Sequence, residues 1–485
     1  MTRTVILGAG IAGHTAALHL RRQLGKEHDV VVVSPNSNWN WIPSNIWVGV
    51  GQMNVKQVTF PLAPIYRRKG IEFHQALALE LHPEGDNTTS KPFVTIKSTA
   101  AESVGKLEKL EYDFLINATG PKLNFSATPG LGPDGHSWSV CTATHADETA
   151  KEFEKVIAKL KAGQKQTLLI GMGHGTCTCQ GAAFEYTFNV EHELVKEGVR
   201  DNAEIIYITN EERLGDFGMD GMNFGVKGRV ISSEDFTKSL FQERGVKAIL
   251  SAAVEKVESG MVHYELIDGT KHTQHFDFAM LLPPFRGADL KAFDIAGEDI
   301  TDKVFAPSGF MKVDADYTSK PYEEWKASDW PKTYRSIGYK NVWAAGIAFA
   351  PPHPMSRPRT TPNGTVIAPA PPRTGMPSGV IGRAVSRTIA EQIAHGDSGK
   401  VHVASMSDMG AACIASAGKG WRSGQAASMT VFPIVPDHER FGDVGRDTKQ
   451  TYGEIGLSAH WMKVMLHYLF IYKAKARPLW YLIPE

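Results

Sequence analysis

Three observations predict an α/β chain of two Rossmann-like dinucleotide-binding domains in tandem, followed by a C-terminal region fit to associate with a membrane. The first is Val5 to Gly13, an apolar strand breaking into G-x-G-x-x-G at Gly8, Gly10 and Gly13. The second is Leu169 to Glu185, where another apolar strand breaks into Gly171-x-Gly173 and is followed by Cys177, Cys179 and Glu185. The third is the tail, in which Trp, Tyr, Met, Leu and Phe alternate with Lys463, Lys473, Lys475 and Arg477.

The bulk properties narrow the function classes. Lysine plus arginine equals aspartate plus glutamate at 52 each, so no global field draws the protein to nucleic acid. At 485 residues the chain holds two or three domains at roughly 150 residues each. The expected division is a discontinuous domain over 1–160 and 300–395, a second Rossmann-like domain over 161–299, and a C-terminal region over 396–485. Met1-Thr-Arg-Thr leads straight into Val5 without a charged, then apolar, leader, so the fold is expected to start at residue 1. No run of about 18 apolar residues suggests a spanning helix. Four cysteines are too few for a stapling framework and point to reactive or buried thiols.

In the first unit, glycines allow a tight turn and let N–H groups at a helix N-terminus approach a pyrophosphate. The expected helix (Thr15 to Leu24) and second strand (Val30 to Val33) complete the βαβ context. That strand ends in Ser34 where an acidic residue usually holds the ribose; serine can make the bond less strongly. The loop Trp39 to Gly49, containing Pro43 and Ser44, could line a flat cofactor or be plain core. A later apolar strand ends in Ala118-Thr119-Gly120, which pairs with the first glycine turn as the mark of a two-domain flavoprotein and makes FAD the leading cofactor.

Cys141 precedes a helix from about Ala146 to Lys161, where the dipole favours a thiolate, although a lone cysteine is more often a small buried hydrophobe. Helical spacing alone does not pair Glu185 with Cys179. Asn341 to Gly346 is a further strand ending in glycine, with Ile347 where an aspartate commonly meets the ribityl chain. A proline-dense loop, Pro351 to Pro372, runs into Arg373-Thr374-Gly375 and a helix from about Pro377 to Ala394, whose N-terminal dipole suits the charge of a reduced flavin. Cys413 lies in Ala-Ala-Cys-Ile-Ala, before a strand-like Ala426 to Val435. The tail reads as an interfacial helix with a basic rim, or else as a helix packed on its own protein or a sister subunit.

With these runs assembled, the chain resembles the sulfide:quinone oxidoreductases, in the flavoprotein superfamily that also holds the flavocytochrome c sulfide dehydrogenases. The resemblance rests on Gly8 to Gly13, Ser34-Pro35-Asn36, Ile42-Pro43-Ser44, Ala118 to Lys122, Cys141 to His145, Cys179 to Glu185, Arg373-Thr374-Gly375 and Cys413-Ile-Ala. The cysteine-bearing runs are the specific ones. The resemblance implies FAD held by Gly8, Gly10, Ala12, Gly13, Ser34, Pro43, Ser44, Ala78, Thr119, Gly120, Gly346, Arg373 and Thr374, with Cys141 as a covalent tether. It implies Cys179 and Cys413 as the redox pair, Glu185 as a base and His145 as a histidine near the site. Sulfide is the implied donor and a membrane quinone the acceptor, in a peripheral (monotopic) homo-oligomer on the cell membrane. No metal is expected.

Departures from the family pattern are local. Asp216 stands in Leu214-Gly-Asp216 where many members have a histidine, and Phe432, Leu466 and Phe470 reproduce the quinone-sandwiching phenylalanines only loosely. Cys177 has no counterpart. Three other readings compete. A flavocytochrome c subunit would share the sulfur chemistry with a haem partner. An NADH:quinone oxidoreductase would need an intact second nucleotide turn, which Gly171-x-Gly173-x-x-Thr176 is not. A non-catalytic sulfur or flavin sensor would not need both a redox pair and a tether.

Overall fold

The computed structural model describes residues 1–226, 229–373, 375–418 and 424–485. Its first sheet runs in the order Val342–Ala344, Phe114–Asn117, Arg3–Leu7, Asp29–Ser34, Glu72–His82, Phe93–Ser98 and Leu107–Glu111. The first five strands are parallel and the last two antiparallel. The short strand Lys291–Ala292 also pairs with Glu72–His82, so the chain rejoins this sheet before residue 300. Val30 to Val33 and Val5 to Leu7 are essentially inaccessible, as strands covered on both faces must be.

Helix Ile11–Leu24 begins four residues earlier than its polar–apolar pattern predicts. Its buried face is built of Ala12, Gly13, Ala16 and Ala17, small residues that let the backbone of helix Gly375–His395 approach closely. A Cβ at Gly382 would lie 2.4 Å from the Ala12 carbonyl oxygen, and one at Gly346 would lie 2.6 Å from the Ala12 Cβ. Gly25 closes the helix at positive φ, the conformation that glycine reaches without a Cβ penalty.

The second sheet is wholly parallel, in the order Val246–Ile249, Ala203–Ile208, Gln166–Met172 and Phe278–Leu282. Its crossover helix, Gln180–Lys196, follows the second glycine turn. A third, antiparallel sheet of Ala411–Ala417, Gln425–Val431 and Tyr452–Gly456 carries Cys413 and lies against that helix. The tail then forms helix Leu457–Ala474, which packs on the third sheet. Among the described residues no helix is long and apolar enough to cross a membrane.

The tail is inside out. Leu457, Trp461, Met465 and Tyr468 are exposed along one stripe, Met465 by 54% and Tyr468 by 62%, whereas His460, Lys463, His467 and Lys473 are buried. The expectation that Lys463 and Lys473 form a basic rim is therefore corrected: both are ion-paired inside the fold, Lys463 to Glu185 at 2.9 Å and Lys473 to Glu485 at 2.6 Å. Of the four basic tail residues, Arg477 is the exposed one.

Candidate active site

The first glycine turn is an open cradle. Gly8 has φ +101, and a Cβ there would strike the Ala118 carbonyl oxygen at 2.1 Å; a Cβ at Gly13 would strike the Gly8 oxygen at 2.1 Å. Gly10, which starts helix Ile11–Leu24 without a side-chain cap, has nothing within 4 Å of its missing Cβ. Gly120 is equally open. Uncapped N–H groups facing free space are the donor set that a pyrophosphate takes up, so these residues fit a dinucleotide. Ser34 is buried at its strand end, with its hydroxyl accepting the Asn36 N–H at 3.3 Å. Thr119 turns its hydroxyl to Asn117. Ala78 lies at a bulge in Glu72–His82.

A cavity bounded by Gly346, Ile347, Pro372, Arg373 and Ser378 opens at the start of helix Gly375–His395. Arg373 is tied to the Ile347 carbonyl at 2.7 Å and stacks its guanidinium on Phe310. Thr374 lies outside the described residues. Pro43 and Ser44 form a short 3-10 turn, and Ser44 Oγ lies 2.8 Å from His467 Nδ1 of the tail helix. The aromatic loop proves to be core: Trp39, Trp41 and Trp47 are buried, and Trp41 stacks on Phe470 at 4.9 Å.

All four cysteines are free thiols. Cys179 is the residue before helix Gln180–Lys196 and adopts φ 70, ψ 35, a left-handed conformation that costs a non-glycine residue roughly 1–2 kcal/mol. Such strain persists where surrounding contacts impose it. Here the Cys177 carbonyl accepts from Ala370 N, Gln180 Nε2 and Asn210 Nδ2, while the Thr178 hydroxyl donates to the Pro371 carbonyl. Cys413, from the third sheet, lies over the next turn of the same helix: its Sγ is 2.8 Å from where a Gly181 Cβ would be. Glycine at 181 is what lets this thiol reach the helix start.

Glu185 is buried one turn further on and is satisfied from two sides. Its Oε1 accepts the Ser416 N–H and hydroxyl, at 3.2 and 2.6 Å, and its Oε2 meets Lys463 Nζ at 2.9 Å. Ser416 lies three residues beyond Cys413, so strand and carboxylate are fastened together. Sequence reasoning missed Lys463 as a site residue. The available signal was His460, Lys463 and His467 on the helix face opposite Trp461 and Met465.

Burial raises every thiol, but the opposing influences differ. Burial pushes Cys413 up to about 12, partly offset by the Lys463 charge, and Glu185 adds to the rise. Cys179 is raised by burial against hydrogen bonding from Thr178 and the Arg373 main chain and against the Arg373 charge. Cys141 is pushed up to about 12, and the influence opposing burial is a hydrogen bond with Ser139. The expectation that the helix dipole favours a Cys141 thiolate is therefore overridden by desolvation. Cys177 is fully buried, donates to the Leu282 carbonyl at 3.1 Å, and is held far above the usual thiol range. Cations, half-buried Arg373 and buried Lys463, thus act on Cys179 and Cys413, and main-chain or hydroxyl groups on the other two.

His145 sits in the first turn of helix Ala143–Lys161, its N–H bonded to the Thr142 hydroxyl. Its ring meets Phe125 edge-on, and its charged neighbours are Glu148 and Asp134. These partners do not include Cys179, Cys413 or Glu185.

The second glycine turn is crowded over Gly173 and Gly175, while a cavity of about 260 Å³ lined by His174, Gly175, Thr176, Glu255 and Val366 stays open beside it. A Cβ at Gly173 would strike Leu131 at 2.5 Å, and one at Gly175 would strike the Val366 oxygen at 2.5 Å. The proline-dense loop, which forms a small hairpin of Arg359–Thr360 and Val366–Ile367, bonds along the turn through Ala368 N to Gly175 O and Ala370 N to Cys177 O.

Comparison with known proteins agrees with this geometry. The pyridine nucleotide-disulphide oxidoreductase family matches residues 2–200. The sulfide-quinone reductase of Aquifex aeolicus is 27% identical over 471 residues, 97% of this chain and 90% of that protein. The mitochondrial sulfide:quinone oxidoreductase of Mus musculus is 24% identical over 296 residues, covering 59% of this chain and 57% of that one. The crystal structure of the Aquifex aeolicus enzyme superposes with a TM-score of 0.75 at 26% identity, over 98% of this chain and 92% of that one. NDH2 of Plasmodium falciparum, solved in complex with NADH, has a TM-score of 0.64 at 15% identity, over 99% and 97%, a likeness of fold.

Proposed function

We propose that this homologue of sulfide-quinone reductases is itself an FAD-dependent sulfide:quinone oxidoreductase. The observation that carries the reading is the convergence of Cys179, Cys413 and Glu185 on the first turns of one helix, with a cation acting on each of the two thiols, half-buried Arg373 on Cys179 and buried Lys463 on Cys413. In the oxidised enzyme Cys179 and Cys413 form a disulfide. Hydrosulfide attacks the Cys179 sulfur, a new S–S bond forms there, and the electron pair of the broken bond leaves on Cys413. Lys463 stabilises that thiolate and Glu185 takes the proton from incoming hydrogen sulfide. A second sulfide then releases the sulfur chain.

FAD, when bound, supplies the two-electron relay between sulfur and quinone. Gly8, Gly10, Ala12 and Gly13 would hold its pyrophosphate; Ser34 its ribose; Gly120, Thr119, Ala78, Pro43, Ser44, Gly346, Arg373 and Thr374 the remainder. Cys141 is its covalent tether in our reading. Quinone would enter beside Ile414, Met462 and Leu466, which pack together where the tail meets the third sheet. The exposed stripe from Leu457 to Tyr468, continued by Leu479 and Leu482, would bury itself at the membrane surface. A homo-oligomer is the expected assembly. Domain limits of 1–160 with 300–395, 161–299 and 396–485 would describe this division of labour, with strand Lys291–Ala292 already returned to the first sheet.

The test is sulfide-driven reduction of quinone, cytochrome c and NAD compared side by side, in wild type, Cys179→Ser and Cys413→Ser. Quinone reduction that disappears in both variants is expected; turnover at wild-type rate in either one rejects the mechanism.

A further inference from the structure

The basic rim that the sequence places on the tail's own lysines is supplied instead by arginines of the first domain. Glu485 sits between two of that domain's helices. Its Oε1 lies 3.0 Å from His19 Nε2 of helix Ile11–Leu24 and 2.6 Å from Lys473 Nζ. Its Oε2 lies 3.1 Å from where a Gly379 Cβ of helix Gly375–His395 would be. One turn further along each helix stand Arg22 and Arg383, and Arg387 follows a turn after that on the same face. Arg22 is exposed and lays its guanidinium 3.8 Å over the Tyr481 ring; Arg383 and Arg387 are half-buried. Three guanidiniums and Lys473 thus gather around the Glu485 carboxylate.

That carboxylate is already engaged by His19 and Lys473. Among the described residues none of the three guanidiniums forms an ion pair, and Arg383 Nε is shut away from solvent without an acceptor. Glu391, the next acid along the helix, faces His395 at 3.9 Å. Burial and the Arg383 charge hold Arg387 below its ordinary range, with Arg22 adding to the effect and Glu485 opposing it. Like charges one turn apart destabilise a helix, so the set suits an anion supplied from outside.

The neighbouring side chains select the kind of anion. Trp480 is buried edge-on against His19 at 4.9 Å, whereas Leu479 and Leu482, on either side of Trp480 and Tyr481, are exposed by 60% and 67%. Hydrocarbon and cations therefore share one edge of the molecule. A small soluble anion would leave the leucines bare. A phospholipid uses both, its phosphate on the guanidinium forks and its acyl chains against the leucines.

We propose that Arg22, Arg383 and Arg387 bind the phosphate of an anionic phospholipid beside Leu479 and Leu482, so that the protein selects negatively charged membrane surface. The inference rests on reading the exposed tail stripe as membrane-facing. It adds what an apolar stripe does not provide, discrimination by headgroup charge. A zwitterionic headgroup carries its own cation and leaves the charge of the arginines unanswered.

The test floats the flavin-loaded full chain with vesicles of phosphatidylcholine alone, or with phosphatidylglycerol at one part in three. Wild type should prefer the anionic vesicles by roughly 100-fold, about fivefold for each arginine, and should lose most of that preference as added salt screens the charges. Arg383→Gln with Arg387→Gln should cut the preference roughly 25-fold, with bound flavin and binding to neutral vesicles unchanged. Arg383→Lys with Arg387→Lys, which keeps the charge, should retain most of it. Equal binding of wild type to both vesicles overturns the proposal, as does a preference untouched in the glutamine variant. Release by inorganic phosphate beyond release by chloride at equal ionic strength also overturns it, since that marks a site for a free anion. If the preference follows the arginines while Met465→Ser with Tyr468→Ser leaves binding unchanged, the stripe reading falls and the lipid site stands. If the serine variant abolishes binding to both vesicles while the glutamine variant behaves like wild type, the stripe reading stands and the lipid site falls.

Discussion

Two glycine turns with nearly the same spelling have opposite fates in this molecule. Gly8-Ala-Gly10 and Gly171-Met-Gly173 both end a buried parallel strand and both precede a helix. At the first, the space above Gly10 is empty and the helix N–H groups are uncapped. At the second, Leu131 fills the space over Gly173, and the proline-dense loop lays Val366 on Gly175 and bonds to the Cys177 carbonyl. A glycine motif thus specifies how the backbone turns. Whether a phosphate can reach it depends on what the rest of the chain places above it. The second turn, crowded at Gly173 and Gly175 but with a cavity beside His174 and Thr176, serves another purpose: the contacts of the proline-dense loop also hold Cys179 in its left-handed conformation at the helix start.

The sharpest way to break the comparison is to add one methyl group to each turn. Gly13→Ala puts a Cβ into fixed backbone, 2.1 Å from the Gly8 oxygen and 3.0 Å from its carbon, with a cost beyond the about 1–3 kcal/mol of ordinary overpacking. Bound flavin, read from the visible spectrum of the purified protein, should be lost almost completely. In Gly175→Ala the clash is with the Val366 oxygen of a surface loop, which can give way. Flavin content should stay near wild type, while sulfide-driven turnover falls as the Cys177 to Cys179 segment loosens. Equal flavin loss in both variants would show that the two turns are not functionally distinct.

The helices that follow the two turns differ in how they grip the tail. The second helix uses the buried pair Glu185 and Lys463; the first uses hydrogen bonds from His14 and His19. Lys463→Met should destabilise the protein by about 3–5 kcal/mol, because it leaves a buried carboxylate unpaired. The double variant with Glu185→Gln should recover most of that loss, since an apolar and a neutral group no longer need each other. Denaturant unfolding at matched flavin content checks both. If the single variant unfolds like wild type, the pair does not hold the tail to the redox helix.

How much of this was legible in the sequence follows from the range of each interaction. The strand-turn-helix units, Ala118-Thr119-Gly120 and the cysteine runs were readable because each depends on neighbours along the chain. The start of helix Ile11–Leu24 was misjudged because its first turn, Ile11-Ala12-Gly13-His14, has two small residues and a buried histidine, which leave little polar–apolar alternation to read. The covering of Gly173 and Gly175 was not readable, since Leu131 and Val366 come from distant segments. The tail deceived for a physical reason. Its lysines have the composition of a membrane rim, but Lys463 meets a carboxylate 278 residues away, and only a folded chain shows that the polar face points inward. Cys141 differs: its place before a helix allowed a thiolate, a small buried hydrophobe was the commoner reading of a lone cysteine, and burial favours the second.

The weaker grip, on the first helix, should respond to acid. His14 is buried, with Nδ1 2.9 Å from the Tyr66 hydroxyl and Nε2 2.7 Å from the Ala474 carbonyl at the end of the tail helix. A neutral ring satisfies both contacts if Nε2–H donates to the carbonyl and Nδ1 accepts from the phenol. Burial lowers His14 to about 4, so the unfolded or undocked chain, near 6.5, binds the proton more tightly. The stabilisation is therefore complete above about 6.5 and lost as pH falls toward 4, amounting to about 2 kcal/mol by pH 5. Proteolysis of the tail at graded pH should accelerate through this window in wild type. In His14→Gln, whose amide can donate to the Ala474 carbonyl without titrating, the acceleration attributable to this site should vanish. An identical pH profile in that variant would move the acid-sensitive grip elsewhere, with His19 beside Glu485 and Lys473 as the next site to examine.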